Sequence, residues 1–366
     1  MNDSSWAAAR KLLCIRVDNM GDVLMTSPAV RALRAAVPGR RITLLASPSG
    51  AAIAGLLPEV DEILAYEAPW VKLERATPVD ADLSLIERLR TQGFDAAVIF
   101  TTYSQSALPA AMMCRLAGIP RVLAHARENP YQLLTDWACE GGDLDDGRHE
   151  VQRQLDLVAC VGARIADERM RLSVPPAARA ALTLRLARHG VTSGGGWVLV
   201  HPGATAPSRR YPAQAFAAAM AGLPDDGTPL FVTGSAGERA LADEVCRLAG
   251  RGINLAGELP LAEFAALVEA AGVLVSNNSG PVHVAAATGT PVVDLYALTN
   301  PQHTPWRVAS RVLYHDVPCR FCHRSICPEG HNACLRGVPP AAVLEAAIAL
   351  LAEPARAGPD AASRAA

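Results

Sequence analysis

The chain has almost no net charge: 34 Lys and Arg against 36 Asp and Glu leave −2 at neutral pH. That balance supplies no long-range attraction for nucleic acid, while a local basic site for a phosphate remains compatible with it. No uninterrupted apolar run reaches the roughly 18 residues that a membrane-crossing helix needs. The N-terminal "MNDSSWAAARKLLCIRV" has no basic stretch leading into a long apolar core, so residence in the cytoplasm is expected, with peripheral membrane contact left open. No G-x-G-x-x-G fingerprint follows a strand, which gives a nicotinamide or flavin cofactor little support. The nine cysteines are a poor disulfide framework for a cytosolic protein of this size, and four of them crowd residues 319–334.

What is present points to an α/β protein of two halves. A length of 366 residues is more than one hydrophobic core usually organises. Apolar runs of strand length alternate with longer helical patterns, the signature of parallel sheets with crossover helices. Candidate strands are "KLLCIRV", "RITLLAS", "DEILAY" and "FDAAVIF", then "WVLVH", "PLFVTG", "GINLAG", "GVLVSN" and "PVVDLY". Between the two sets the pattern pauses at Val174, Pro175 and Pro176, passes a helical stretch and reaches the Gly-rich "TSGGGW" at 192–197. The expected division is a domain 1–175, a domain 176–352 and a small, polar, disordered tail 353–366. Two doubly wound domains with a cleft between them are expected. Ligands in such sheets sit beyond the carboxyl ends of the strands, so the loops after "KLLCIRV", "WVLVH", "GINLAG" and "GVLVSN" are where chemistry is sought.

Three of those loops carry suggestive residues. In "SNNSGPVHVAAATG", Ser279 and Gly280 open a helix whose free N–H groups and positive end would suit a phosphate, the glycine letting an anion approach. An ordinary capped helix, with Asn278 or Ser279 as cap and Pro281 in the first turn, is the competing reading. In "HPGATAPSRRYP", Thr205, Arg209 and Arg210 precede a helix, and arginines pair with phosphate oxygens through fixed donors. In "CIRVDNMGDVLMTSPAV", Gly21 permits a tight turn and Asp22 stands at a helix start, where a plain capping carboxylate is again the competing reading.

Taken in order, "MGDVLMTSPAVRALR", "HPGAT…PSRRYP", "NLAG" and "SNNSGPVHVAAATGTPVVDLY" resemble glycosyltransferase family 9, the ADP-heptose heptosyltransferases of lipopolysaccharide cores and their relatives. The likeness runs from about residue 11 to about residue 350. It implies the GT-B architecture, two Rossmann-like domains facing a cleft, with the acceptor bound by the first and a nucleotide sugar by the second. It further implies that Asp22 is the general base for the acceptor hydroxyl. Thr205 and Arg209 would hold the donor diphosphate, Arg209 standing where many relatives have Lys. Asn254 would face the nucleoside, the turn Ser279, Gly280 and Pro281 would embrace the diphosphate, and His283 would lie one turn further in. Many relatives carry a carboxylate where this chain has Asn278, against the donor sugar's hydroxyls, so the donor heptose is an expectation of the family as a whole. The implied reaction is an inverting transfer with no catalytic cofactor, onto a saccharide, lipid-linked saccharide or protein hydroxyl. A nucleotide-sugar 2-epimerase-like isomerase and a non-catalytic nucleotide-sugar binding protein are the alternatives.

One segment lies outside that scheme. Cys319, Cys322, Cys327 and Cys334 form C-x2-C-x4-C-x6-C, a crowding that suits a tetrahedral thiolate site for structural Zn or Fe. Disulfides and unliganded thiols are the competing readings. Some members of the family that this chain resembles carry a cysteine-bound iron, and the resemblance extends that possibility to these four cysteines.

Overall fold

The computed structural model describes residues 4–71, 77–140, 147–192 and 194–353. Two compact units result, Met1–Ser173 and Val174–Ala366. The expectation of a disordered tail falls, beyond Glu353, outside the described residues.

The first unit is built on six parallel strands: β1 Lys11–Arg16, β2 Arg41–Ala46, β3 Glu62–Ala65, β4 Ala96–Ile99, β5 Val122–Ala126 and β6 Asp136–Cys139. Their order is β3-β2-β1-β4-β5-β6. The central strands are continuous apolar runs because helices cover both faces of a parallel sheet; every residue of β1 after Lys11 is buried. β1 pairs with β2 on one side and β4 on the other, Leu13 standing opposite Thr43 and Ala97. The winding reverses between β1 and β4, and there the strand ends open a crevice that loops can use for binding.

The second unit repeats the plan with β7 Val198–His201, β8 Leu230–Val232, β9 Ile253–Asn254, β10 Val273–Asn277, β11 Val292–Leu295 and β12 Ser310–Leu313. All are parallel, in the order β12-β11-β10-β7-β8-β9. Its reversal lies between β7 and β10. Each sheet therefore has the strand order of a dinucleotide-binding Rossmann sheet.

The helix Met20–Ala36 follows β1 and buries Val23, Leu24, Val30 and Leu33 against the sheet. Pro28 inside it has no N–H to offer the Leu24 carbonyl; the Ser27 hydroxyl donates to that carbonyl instead, at 2.7 Å. In the second unit the buried Asn277 side chain, at the end of β10, ties two loops together. Its Oδ1 accepts from Tyr211 N–H at 3.0 Å and its Nδ2 donates to the Pro202 carbonyl at 2.7 Å. The loop after β7 is thereby fixed beside the loop after β10.

Three strands were not anticipated from the sequence: β5, β6 and β12. β6 is four residues with alternating exposure, "DWAC", and β12 is an equally short edge strand, "SRVL". β5, "VLAHA", carries a histidine as its fourth residue.

Candidate functional site

In the first unit, β1 ends in Arg16, wholly buried, and the chain turns through Asp18 and Asn19 into the Met20–Ala36 helix. Arg16 sits among three carboxylates. Its Nε lies 2.9 Å from Asp18 Oδ2, its Nη2 lies 3.2 Å from Asp22 Oδ1, and Nη1 and Nη2 each donate to Glu150 Oε1 at 3.2 Å. Glu150 opens the helix Glu150–Ala159, and Gln154, one turn on, donates to the same Oε1 at 2.7 Å. Gln105 donates to Asp18 Oδ1 at 2.5 Å. Arg153 is bidentate on Glu140, at 2.6 and 2.7 Å. Asp18, Asp22, Glu140 and Glu150 thus outnumber the two buried guanidiniums.

That imbalance has a direction. Burial pushes the Asp22 carboxyl above its ordinary range, Arg16 pulls against this, and the neighbouring Glu150 adds to the rise. Burial likewise pushes Asp18 up against the pull of Arg16. Of the three carboxylates on Arg16, Asp22 keeps 17% of its side-chain surface exposed, against 7% for Asp18 and 2% for Glu150, so Asp22 is the most accessible to a substrate. Its Oδ2 also accepts from Asn19 N–H at 3.2 Å. Asp22 therefore caps its helix and belongs to a charged cluster at once. Gly21, beside it, is buried in the first helical turn.

In the second unit the loop after β7 runs through Pro202 and Gly203, which abuts the Glu238 carboxylate so closely that a side chain at 203 would collide with it. Thr205 is exposed. A short 3-10 turn, Pro207–Arg209, then brings Arg209 Nη1 to the Asn278 carbonyl at 3.3 Å. Burial pushes His201, at the end of β7, down to about 4, so the positive charge of this loop near neutral pH comes from its arginines.

β10 hands over to the helix Gly280–Thr288, with Ser279 as its N-cap residue, Pro281 in the first turn and His283 buried. No side chain caps this helix. The Ser279 hydroxyl donates to the Asn277 carbonyl at 3.2 Å, and Asn278 turns inward, its Nδ2 donating to Asp294 Oδ2 and to the His303 carbonyl, both at 3.0 Å. The helix entrance thus keeps its partial positive charge and a Gly280 N–H that no side chain caps, the Val282 N–H donating to the Ser279 carbonyl at 3.0 Å, with the Arg209 guanidinium beside it.

Arg209, Asn278, Ser279 and Gly280 are thus brought to one place. Asn254 is held apart on edge strand β9: its Nδ2 donates to Asp243 Oδ1 at 2.7 Å and to the Arg239 carbonyl at 3.1 Å, and its Oδ1 accepts from Ala256 N–H at 2.8 Å. Sequence reasoning missed Arg16, Glu150 and Asp294. The available signals were an arginine closing the apolar "KLLCIR" and an aspartate inside the apolar "PVVDLY".

Cys319, Cys322, Cys327 and Cys334 are free thiols that line one small cavity with Phe321, Pro328 and His331. Backbone N–H groups, that of Asn332 foremost, hold the Cys327 thiol below its usual range. Burial pushes Cys334 up, helped by repulsion from the other three sulfurs. Among the described residues no group of three or more His, Cys, Asp or Glu stands in a metal-ligating arrangement.

The family model for glycosyltransferase family 9 (heptosyltransferase) matches residues 83–333. The chain belongs to glycosyltransferase family 9. Over 363 residues it is 27% identical to lipopolysaccharide heptosyltransferase 2 of Escherichia coli, covering 93% of this chain and 98% of that protein. Among solved structures, the E. coli ADP-heptose lipopolysaccharide heptosyltransferase II is 25% identical, with a TM-score of 0.73 over 93% of this chain and 98% of that one. The family 9 glycosyltransferase of Veillonella parvula shares the fold at 20% identity, with a TM-score of 0.78 over 94% and 98%. The family 9 chain is accordingly a glycosyltransferase of GT-B architecture. Among its described residues no helix is long and apolar enough to cross a membrane.

The buried Asp294 gives this family 9 enzyme a pH signature. Burial pushes its carboxyl from 3.8 up to about 8, against the Asn278 hydrogen bond and the attraction of Arg209. Between those values the unfolded chain has lost the proton and the folded chain still holds it, so folding stability falls as pH rises through this window. Urea unfolding at pH 5 and pH 8 should show that fall in the wild type and a smaller one in Asp294→Asn. Equal slopes in the two proteins would contradict the assignment.

Proposed function

We propose that this glycosyltransferase moves heptose from ADP-heptose to an acceptor hydroxyl with inversion, without a catalytic metal or other cofactor. The observation that carries the reading is the uncapped Gly280 helix with Arg209 against its entrance. A diphosphate there would meet backbone N–H groups and a fixed guanidinium, which offset the charge that develops as it departs. Gly280 and Pro281 leave room for it, Ser279 and His283 flank it, and Thr205 extends the same loop toward it. Asn254 keeps a place in this reading through the end of β9 that it fixes, since its own amide is already engaged. The second unit is then the donor domain.

The acceptor belongs to the first unit, and Asp22 takes the proton of its hydroxyl. A carboxyl raised above its ordinary range is a stronger base than a solvated aspartate, which suits proton transfer late in an oxocarbenium-like displacement. Arg16 and Asn19 N–H hold the carboxylate in place. The lipopolysaccharide heptosyltransferase relatives support a core saccharide as acceptor. Work on a nucleotide sugar in the cytoplasm accords with nine unpaired thiols.

The four clustered cysteines suit a structural Zn or Fe. All four thiols share one cavity wall, and the N–H groups around Cys327 favour its thiolate. The repulsion among the sulfurs is what a divalent cation would cancel. Phe321, His323 and Asn332 all adopt left-handed backbone conformations, a cost of about 1–3 kcal/mol each that bound metal would offset.

Asp22→Asn should leave ADP affinity and folding intact and lower turnover by about 10²- to 10⁴-fold, as loss of a general base does. An assay of ADP release from ADP-heptose with and without a heptose-deficient core saccharide measures it. Unchanged turnover would reduce Asp22 to a cap, and conversion of ADP-heptose without acceptor would point to an isomerase.

Elemental analysis of protein purified without chelator should find about one Zn or Fe per chain, and Cys322→Ser should lower both the metal content and the melting temperature. Four freely titrating thiols and no metal would contradict this.

A further inference from the structure

Arg209 reaches the Gly280 helix from a turn that does little to hold itself. Pro207–Arg209 is a single 3-10 turn, a form with poor hydrogen-bond geometry of its own. Among the described residues the guanidinium hydrogen-bonds only the Asn278 carbonyl, through Nη1 at 3.3 Å, and its buried Nε has no partner. The place from which Arg209 extends is therefore set by what lies against the turn.

The cysteine segment lies against it. Ser208 N–H donates to the Ser325 carbonyl at 3.0 Å, and Asn332 Nδ2 donates to the Pro207 carbonyl at 3.4 Å. Ser208 is 5% exposed and lines the cavity walled by the four thiols, its hydroxyl without a hydrogen-bond partner among the described residues. Two residues before Ser325, His323 N–H donates to the Leu298 carbonyl at 2.7 Å. The same short stretch thus holds the loop after β7 and the loop after β11. Phe321 seats it, its ring edge-on to Tyr296 and Tyr314 with centroids 6.3 and 5.5 Å away. A bulky residue rarely takes the left-handed backbone, yet Phe321 does so at φ 60°. Such a conformation persists where its surroundings over-determine it.

We propose that segment 319–334 braces the donor site: it pins the Pro207–Arg209 turn so that Arg209 is already in place when a nucleoside diphosphate arrives. Phe321 and Asn332 are then positioning residues that act on the ligand through Arg209. The proposal rests on the reading in which the donor diphosphate lies at the Gly280 helix. A guanidinium set in advance binds without the cost of ordering its turn.

The test measures calorimetric affinity for ADP in wild type, Phe321→Gly, Asn332→Gly and Arg209→Ala, and in Phe321→Gly combined with Arg209→Ala, with thermal melts to establish folding. Glycine keeps the left-handed backbone at 321 and 332 and removes only the side chain. Arg209→Ala should weaken ADP by about 10-fold or more, as loss of a charged hydrogen bond does. Phe321→Gly should weaken it by about 5-fold and Asn332→Gly by about 3-fold. In the Arg209→Ala background Phe321→Gly should change the affinity by less than about 2-fold, because the brace acts through the missing guanidinium. Hydrogen exchange in Phe321→Gly should quicken across residues 204–211 while β7 and β10 keep their protection. ADP affinity unchanged in both glycine variants would overturn the brace, as would the full 5-fold loss reappearing on top of Arg209→Ala. If Phe321→Gly fails to fold, Asn332→Gly decides alone by the same affinity. A wild-type protein with no affinity for ADP, or an Arg209→Ala protein that binds it as wild type does, would overturn the donor-site reading itself.

Discussion

A helix that begins without a cap is the constraint around which the second unit is arranged. Gly280–Thr288 starts with backbone N–H groups that no side chain answers, although Asn278 and Ser279, both competent caps, precede it. Each is drawn elsewhere, Ser279 to the Asn277 carbonyl and Asn278 to Asp294 and His303. Losing a cap costs about 0.5–2 kcal/mol, and the structure bears that cost where the winding of the sheet reverses. Around it, Asn277 joins the loops after β7 and β10, and the short Pro207–Arg209 turn delivers a guanidinium. The unit thereby leaves one positive helix end without a side-chain cap.

The first unit does the corresponding work with negative charge. Burying Arg16 beside Asp18, Asp22 and Glu150 places more carboxylate than guanidinium in a region of low dielectric. Buried ion pairs of this kind rarely add net stability, because desolvation consumes most of the attraction. What the cluster does supply is orientation and basicity: Arg16 fixes Asp22, and crowding with burial raises its pKa. Gln154 and Gln105 take up part of the remaining hydrogen-bonding capacity of Glu150 and Asp18. In its proposed role as base, Asp22 depends on Glu150, 128 residues further along the chain, as well as on its own loop.

Much of this was legible in the chain. Continuous apolar runs announced nine of the twelve strands among the described residues, because a parallel sheet covered on both faces leaves a near-unbroken hydrophobic signature. The short edge strands β6 and β12, half-exposed, left no such mark. The loops after β1, β7 and β10 were also legible, since glycine, proline and polar residues follow each run. The choice between capped and open at Gly280 was not, because Asn278 and Ser279 read as caps until their side-chain partners are seen. Asp294 and Glu150 could not be assigned a role for a related reason: a single carboxylate gains meaning only from residues brought to it by the fold.

The central claim is that the uncapped helix and Arg209 together receive the donor diphosphate. A crystal structure of the enzyme with ADP tests it most directly. The account predicts a phosphate oxygen within hydrogen-bonding distance of the Gly280 N–H and of the Arg209 guanidinium, with Asn278 still turned toward Asp294. ADP bound elsewhere, with the Asn278 or Ser279 side chain swung over to cap the helix, would contradict it.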